Sequence, residues 1–189
     1  MRSARGHHAL LATLALSVLV PALGVSPAAA DRLTVGASLG ETRGDQLAVA
    51  RGPGAFVRLR AGARTLIELD VARSAPESEA HTSTRLGASL VLELSARGRG
   101  LTPYLVAGGG VTRTEHAHWI GDHRHLEVGA GLDLALGERA WLGVDARAGQ
   151  RDLVDERLPH DPVILIYIPP ALPAHHTYTS VRLTLSFAL

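Results

Sequence analysis

Ten histidines in a 189-residue chain that has no cysteine make imidazole the first side chain to weigh for chemistry. Glu115-His116-Ala117-His118 and Asp122-His123-Arg124-His125 place four imidazoles and two carboxylates in one short stretch. Residues at i and i+2 of an extended segment share a face. Each His-x-His can therefore offer two nitrogens to one Zn²⁺ or Cu²⁺, which makes His116, His118, His123 and His125 a candidate metal set. The alternative is a loop of solvated histidines, whose protonation near pH 6 would alter loop packing. His81, His160, His175 and His176 fall on other candidate loops or strand ends.

A hydrolytic site needs a serine activated by a histidine that a carboxylate orients. His81-Thr82-Ser83, with Glu79 near, is the only His-x-Ser triplet, and its alternative reading is an ordinary loop-to-strand junction. Dinucleotide and phosphate-loop fingerprints are absent, and Gly108-Gly109-Gly110 reads instead as relief of crowding in a strand. Without cysteine there is no disulfide framework, thiolate metal site or cysteine nucleophile. Nineteen basic against eighteen acidic residues leave no concentrated positive face for nucleic acid. Every one of the nineteen is arginine, a bias of composition rather than of mechanism. No cofactor is expected.

The elements that must carry these residues are strands. From Leu126 to Ala148 the chain alternates on both sides of Gly137-Glu138-Arg139: Leu126, Val128, Ala130, Leu132 and Leu134 before the turn, Leu142, Val144 and Ala146 after it. This is a β-hairpin with one apolar and one charged face, each strand long enough to cross a bilayer at a tilt. Alternation recurs at 33–39, 56–61, 67–71, 85–94 and 180–189, while 104–111 is apolar or glycine on both faces and reads as a strand buried on both sides. That makes eight strands, and the expectation is an all-β, eight-stranded antiparallel up-and-down transmembrane β-barrel.

Charge decides which face points where. Arginine on the lipid face costs about 2 to 4 kcal/mol at bilayer depth, so Arg58, Arg60, Arg85, Arg147 and Arg182 must point into the lumen with Glu68, Asp70, Glu93, Glu127, Asp133 and Asp145. An unpaired buried charge costs far more than a paired one, and eight-stranded barrels are filled by side chains. An ion-paired, plugged lumen is therefore expected.

The connections alternate too. They are short around Gly62-Ala63-Arg64, 97–100 and Gly137-Glu138-Arg139, and long over 41–52, 74–82, 114–122 and 151–176, as a barrel with both termini in the periplasm requires. The longest carries an apolar run, Val163 to Ile168, that fits a contact patch for lipid, lipopolysaccharide or protein, or a structural cover. Residues 1–30 have Arg2 and Arg5, an apolar run from Ala9 to Val20 and Ala28-Ala29-Ala30, the form of a cleaved secretory signal peptide. Residues 31–189 form the barrel.

On PYLVAGGGV, LEVGAGLDLALGERAWLGVDARAG and the final VRLTLSFAL, the chain resembles the small outer-membrane β-barrel family that includes the membrane domain of OmpA. The resemblance implies an outer-membrane location, contact with outer-membrane lipid and lipopolysaccharide, and a terminal-strand aromatic read by the barrel insertion machinery. Phe187 stands third from the end, with Leu189 last. Some barrels of this size are lipid A deacylases or acyltransferases, but Ser83 precedes the fourth strand and departs from the deacylase pattern. The expected role is non-enzymatic, structural or adhesive through the outer loops, with an extracellular ligand as the partner. The alternatives are a lipid A-modifying hydrolase and a metal-binding surface protein.

Overall fold

A computed structural model describes residues 33–44, 49–76, 82–95, 100–115, 120–157 and 175–189. They form eight strands: β1 (Leu33–Gly44), β2 (Ala50–Arg60), β3 (Thr65–Pro76), β4 (Thr82–Glu93), β5 (Leu101–Glu115), β6 (Ile120–Ala135), β7 (Ala140–Arg157) and β8 (His175–Ala188). Each pairs antiparallel with its sequence neighbours, and β1 also pairs with β8, so the sheet closes. Closure removes the open edges that a bilayer, with no water to solvate them, does not tolerate.

The two faces of the sheet reverse the arrangement of a soluble protein. Leu39, Leu69, Leu86, Leu90, Leu105, Val128, Val144 and Leu183 stand exposed on the outside, whereas arginines and carboxylates occupy the interior. An apolar surface that encircles the molecule is far larger than the patches water-soluble monomers expose, and it matches the lipid-facing band of a membrane barrel. Outward-facing charge ends the band at one rim. Glu41 follows Leu39, Arg51 precedes Pro53, Arg73 follows Val71, Arg113 follows Val111 and Arg124 precedes Leu126. Opposite this rim, short connections join β2 to β3, β4 to β5 and β6 to β7. At that end the interior is packed by Leu66, Val91, Tyr104 and Val106.

Two expectations need correction. The strand at 104–111 is not buried on both sides, because Leu105 and Val111 are exposed while Tyr104 and Val106 are buried. Glycine on both faces hid this alternation. The outer connections are also shorter than the hydrophobic pattern implied. β1 continues to Gly44, β5 to Glu115 and β7 to Arg157, and β6 begins at Ile120. Beyond the lipid band the outer face meets water and the inner face carries polar side chains such as His123, His125 and His176, so the ladder runs on while apolar alternation stops.

Candidate functional site

The interior is built from residues of one parity on each strand, and five arginines pair there with six carboxylates. Glu68 sits at the centre, accepting hydrogen bonds from Arg58 Nε at 2.7 Å, Arg147 Nη2 at 2.8 Å and Arg182 Nη2 at 2.9 Å. Asp145 accepts from Arg182 Nη2 at 2.8 Å, Arg147 Nε at 3.1 Å and the Tyr104 hydroxyl at 3.1 Å. Glu127 accepts from Arg147 Nη1 at 2.6 Å, Arg85 Nη1 at 3.1 Å and the Tyr178 hydroxyl at 2.9 Å. Arg58 reaches Asp133 at 2.9 Å, Arg85 reaches Asp70 at 3.0 Å and Arg60 reaches Glu93 at 3.1 Å. The charged groups come from β2, β3, β4, β6, β7 and β8, and β5 adds the Tyr104 hydroxyl. Arg58 is also sandwiched between rings, with its guanidinium carbon 4.9 Å from the Phe56 centroid and 5.1 Å from that of Tyr104, a cation–π arrangement strengthened by desolvation.

Glycines make room for this crowding. Tyr104 pairs across the ladder with Gly131, Phe56 with Gly36 and Tyr178 with Gly149, and a Cβ on any of the three glycines would collide with the facing ring. Each aromatic side chain lies over bare backbone on the next strand, the aromatic–glycine pairing that pins register in twisted sheets. Phe56, Tyr104 and Tyr178 went unsingled by the sequence reasoning, although their parity, the same as that of Arg58, Thr102 and Arg182, marks them as interior.

Two of the four candidate metal histidines, His123 and His125, lie on β6 rather than in a loop, and both are buried in the lumen near the outer rim. His116 and His118 lie outside the described residues, as do His81, Glu79, His160 and the apolar run 163–168. Among the described residues no group of three histidines, aspartates or glutamates can hold a metal ion. Ser83 Oγ is 3.0 Å from Thr114 Oγ1, which gives it a neighbour other than the histidine of its triplet.

Arg151 joins His123 and His125 at the mouth, and it too was missed, although its odd number continues the interior series Asp145, Arg147 and Gly149 along β7. Register places His125 beside Arg151 and Arg151 beside His176, on three consecutive strands. The Arg151 guanidinium lies 5.2 Å over the Tyr178 ring. Burial, reinforced by the positive charges of Arg151 and His176, pushes the His123 imidazole down to about 4. On the outer surface of the rim, His175 Nδ1 is 2.7 Å from Asp152 Oδ1, and the hydrogen bonds from His175 and Gln150 hold that carboxyl below the ordinary aspartate range.

No protein-family model and no curated protein matches the chain. Solved structures do. Neisserial surface protein A aligns with a TM-score of 0.62 at 12% identity, over 83% of this chain and 96% of that one. The N-terminal β-barrel domain of Pseudomonas aeruginosa OprF aligns with a TM-score of 0.48 at 14% identity, over 82% and 97%. The outer-membrane enzyme PagL aligns with a TM-score of 0.48 at 18% identity, over 80% and 97%. With eight antiparallel strands closed into a barrel, an apolar exterior and this likeness to neisserial surface protein A, the chain has the fold of the small outer-membrane β-barrels.

Proposed function

We propose that the protein is a non-enzymatic integral β-barrel of the outer membrane, sealed through its lumen, that acts as a structural element and presents an adhesive surface on its outer loops. The observation that carries this reading is the interior pairing just described. Arg58, Arg147 and Arg182 meet on Glu68 from strands on different sides of the barrel, so side chains rather than water occupy the axis. At this level the lumen is filled by paired side chains. Function then falls to the outside of the molecule.

In this reading residues 1–30 are a secretory signal and 31–189 the barrel delivered to the insertion machinery. The apolar band contacts lipid. At the outer rim, exposed Arg51, Arg113 and Arg124 suit the phosphate groups of lipopolysaccharide, because guanidinium binds phosphate through paired hydrogen bonds. Each also has a carboxylate neighbour, in Glu41, Asp122 and Asp152, so the rim is zwitterionic and tolerates both the sugar and the phosphate layer. The extracellular ligand is met by the loops above it.

Reconstitution into planar bilayers tests the sealed lumen. Purified, folded protein is expected to leave membrane conductance at the baseline level, and reproducible open steps of a stable water-filled pore would contradict the reading.

A further inference from the structure

The outer mouth departs from the charge balance below it. Arg58, Arg60, Arg85, Arg147 and Arg182 each have a carboxylate within about hydrogen-bonding reach, at 2.6 to 3.1 Å. Arg151 has none among the described residues. Its guanidinium lies over the face of Tyr178, and its Nε is buried without a hydrogen-bond partner. Nearby acids are already engaged. Glu127 serves Arg147, Arg85 and Tyr178, Asp70 serves Arg85, and Asp122 and Asp152 sit on the outward face with Arg113, Arg124 and His175.

Imidazoles surround this guanidinium instead of carboxylates. His125 and His176 flank Arg151 on its own rung, and His123 lies one pleat further out on β6. His123 and His125 are 5% and 3% exposed, yet His123 Nδ1 and His125 Nε2 have no hydrogen-bond partner. Ser180 Oγ, further in on β8, is in the same condition. A buried polar atom without a partner is destabilising, and here several such atoms gather round one uncompensated cation. On the wall that adjoins β8, the outer halves of β1 and β2 present Gly40, Thr42, Gly52 and Gly54 on the interior parity, so neither strand sends a long side chain toward the rung.

We propose that the rung His125–Arg151–His176, with His123 above it, binds an oxyanion of the phosphate or sulfate type at the outer mouth of the barrel. A cation is disfavoured beside an unpaired guanidinium, and a neutral sugar would leave the charge uncompensated. A tetrahedral oxyanion satisfies both needs. It accepts two hydrogen bonds from the planar guanidinium fork, and its remaining oxygens face the imidazole donors, whose strands are spaced about 4.8 Å apart. The shared chemistry is the phosphoryl or sulfuryl group, whether free in solution or carried on a larger solute that reaches into the mouth.

Refolded protein in neutral detergent, in phosphate-free buffer, is titrated with inorganic phosphate and separately with glucose 1-phosphate, following heat of binding and the ring resonances of His125 and His176. Saturable binding of either is expected, with perturbation of both rings, and tighter binding of glucose 1-phosphate assigns the site to a carried phosphate. Arg151→Gln should weaken binding by about tenfold or more, the worth of a charge-assisted hydrogen bond. Arg151→Lys should retain part of it, and Arg113→Gln, on the outer surface, should leave it unchanged. If Arg151→Gln fails to fold, His176→Gln supplies the same comparison, with a smaller loss expected. Absence of saturable binding to the wild type, or equal weakening by the mouth and the surface variants, would overturn the proposal.

Discussion

Arg147 on β7 and Glu68 on β3 lie four strands apart in an eight-stranded ring, yet Arg147 Nη2 is 2.8 Å from Glu68 Oε1. The pair spans the interior of the barrel. Strands on opposite walls are tied by a contact that neither neighbour-to-neighbour pairing nor lipid provides, and both side chains are excluded from solvent. Interaction of this kind is costly to break on one side, since the remaining charge stays buried.

Glu68→Gln removes the charge facing three arginines. The variant is expected to lose about 3 to 5 kcal/mol of stability, read from urea unfolding of the protein in lipid vesicles. A loss below about 1 kcal/mol would place Glu68 in a hydrated rather than a closed interior.

On the lipid face the sign of the charge effect reverses. Val128→Arg, in the middle of the apolar band of β6, should cost about 2 to 4 kcal/mol. Gly137→Arg, in the turn between β6 and β7 where an added side chain meets open space, should change stability by less than about 1 kcal/mol. Equal effects at the two positions would deny that the band faces lipid.

Gly131→Val forces a branched side chain against the Tyr104 ring. Overpacking of this type costs about 1 to 3 kcal/mol. Pairing the change with Tyr104→Ala should recover part of the loss, because the ring that the new side chain meets is then gone, and a double-mutant cycle measures that recovery.

The mouth makes stability depend on pH. His123 titrates near 4 in the folded barrel and near its ordinary 6.5 when unfolded, so the unfolded chain takes up a proton that the folded one refuses between these values. This contribution is complete above about pH 6.5 and is lost as pH falls toward 4. His123→Gln should flatten the slope of unfolding free energy across that window, as measured by urea titrations at stepped pH.

Much of this architecture was legible because a barrel wall has period two and only one face tolerates charge. Arg58, Glu68, Arg147 and Arg182 announce the interior by parity alone, and the same parity fixes Val128 and Leu183 outside. What stayed illegible has physical causes. Above the lipid band the outer face meets water and the inner face is polar, so β7 past Ala148 carries no apolar alternation, and Arg151 and His123 looked like loop residues. Pairing partners were hidden for another reason. That Arg147 meets Glu68 rather than another acid follows from register and stagger around the closed ring, which no single strand encodes. The glycines facing Phe56, Tyr104 and Tyr178 are likewise meaningful only once the neighbouring strand is in place.

The central claim is that the chain is a folded barrel in the outer membrane. Cells expressing it are fractionated, and the outer-membrane fraction is run on SDS gels with and without boiling. The account predicts a band in that fraction whose mobility shifts on heating, since a closed sheet resists SDS until it is thermally opened. A band confined to the soluble periplasmic fraction, with the same mobility boiled or not, would contradict it.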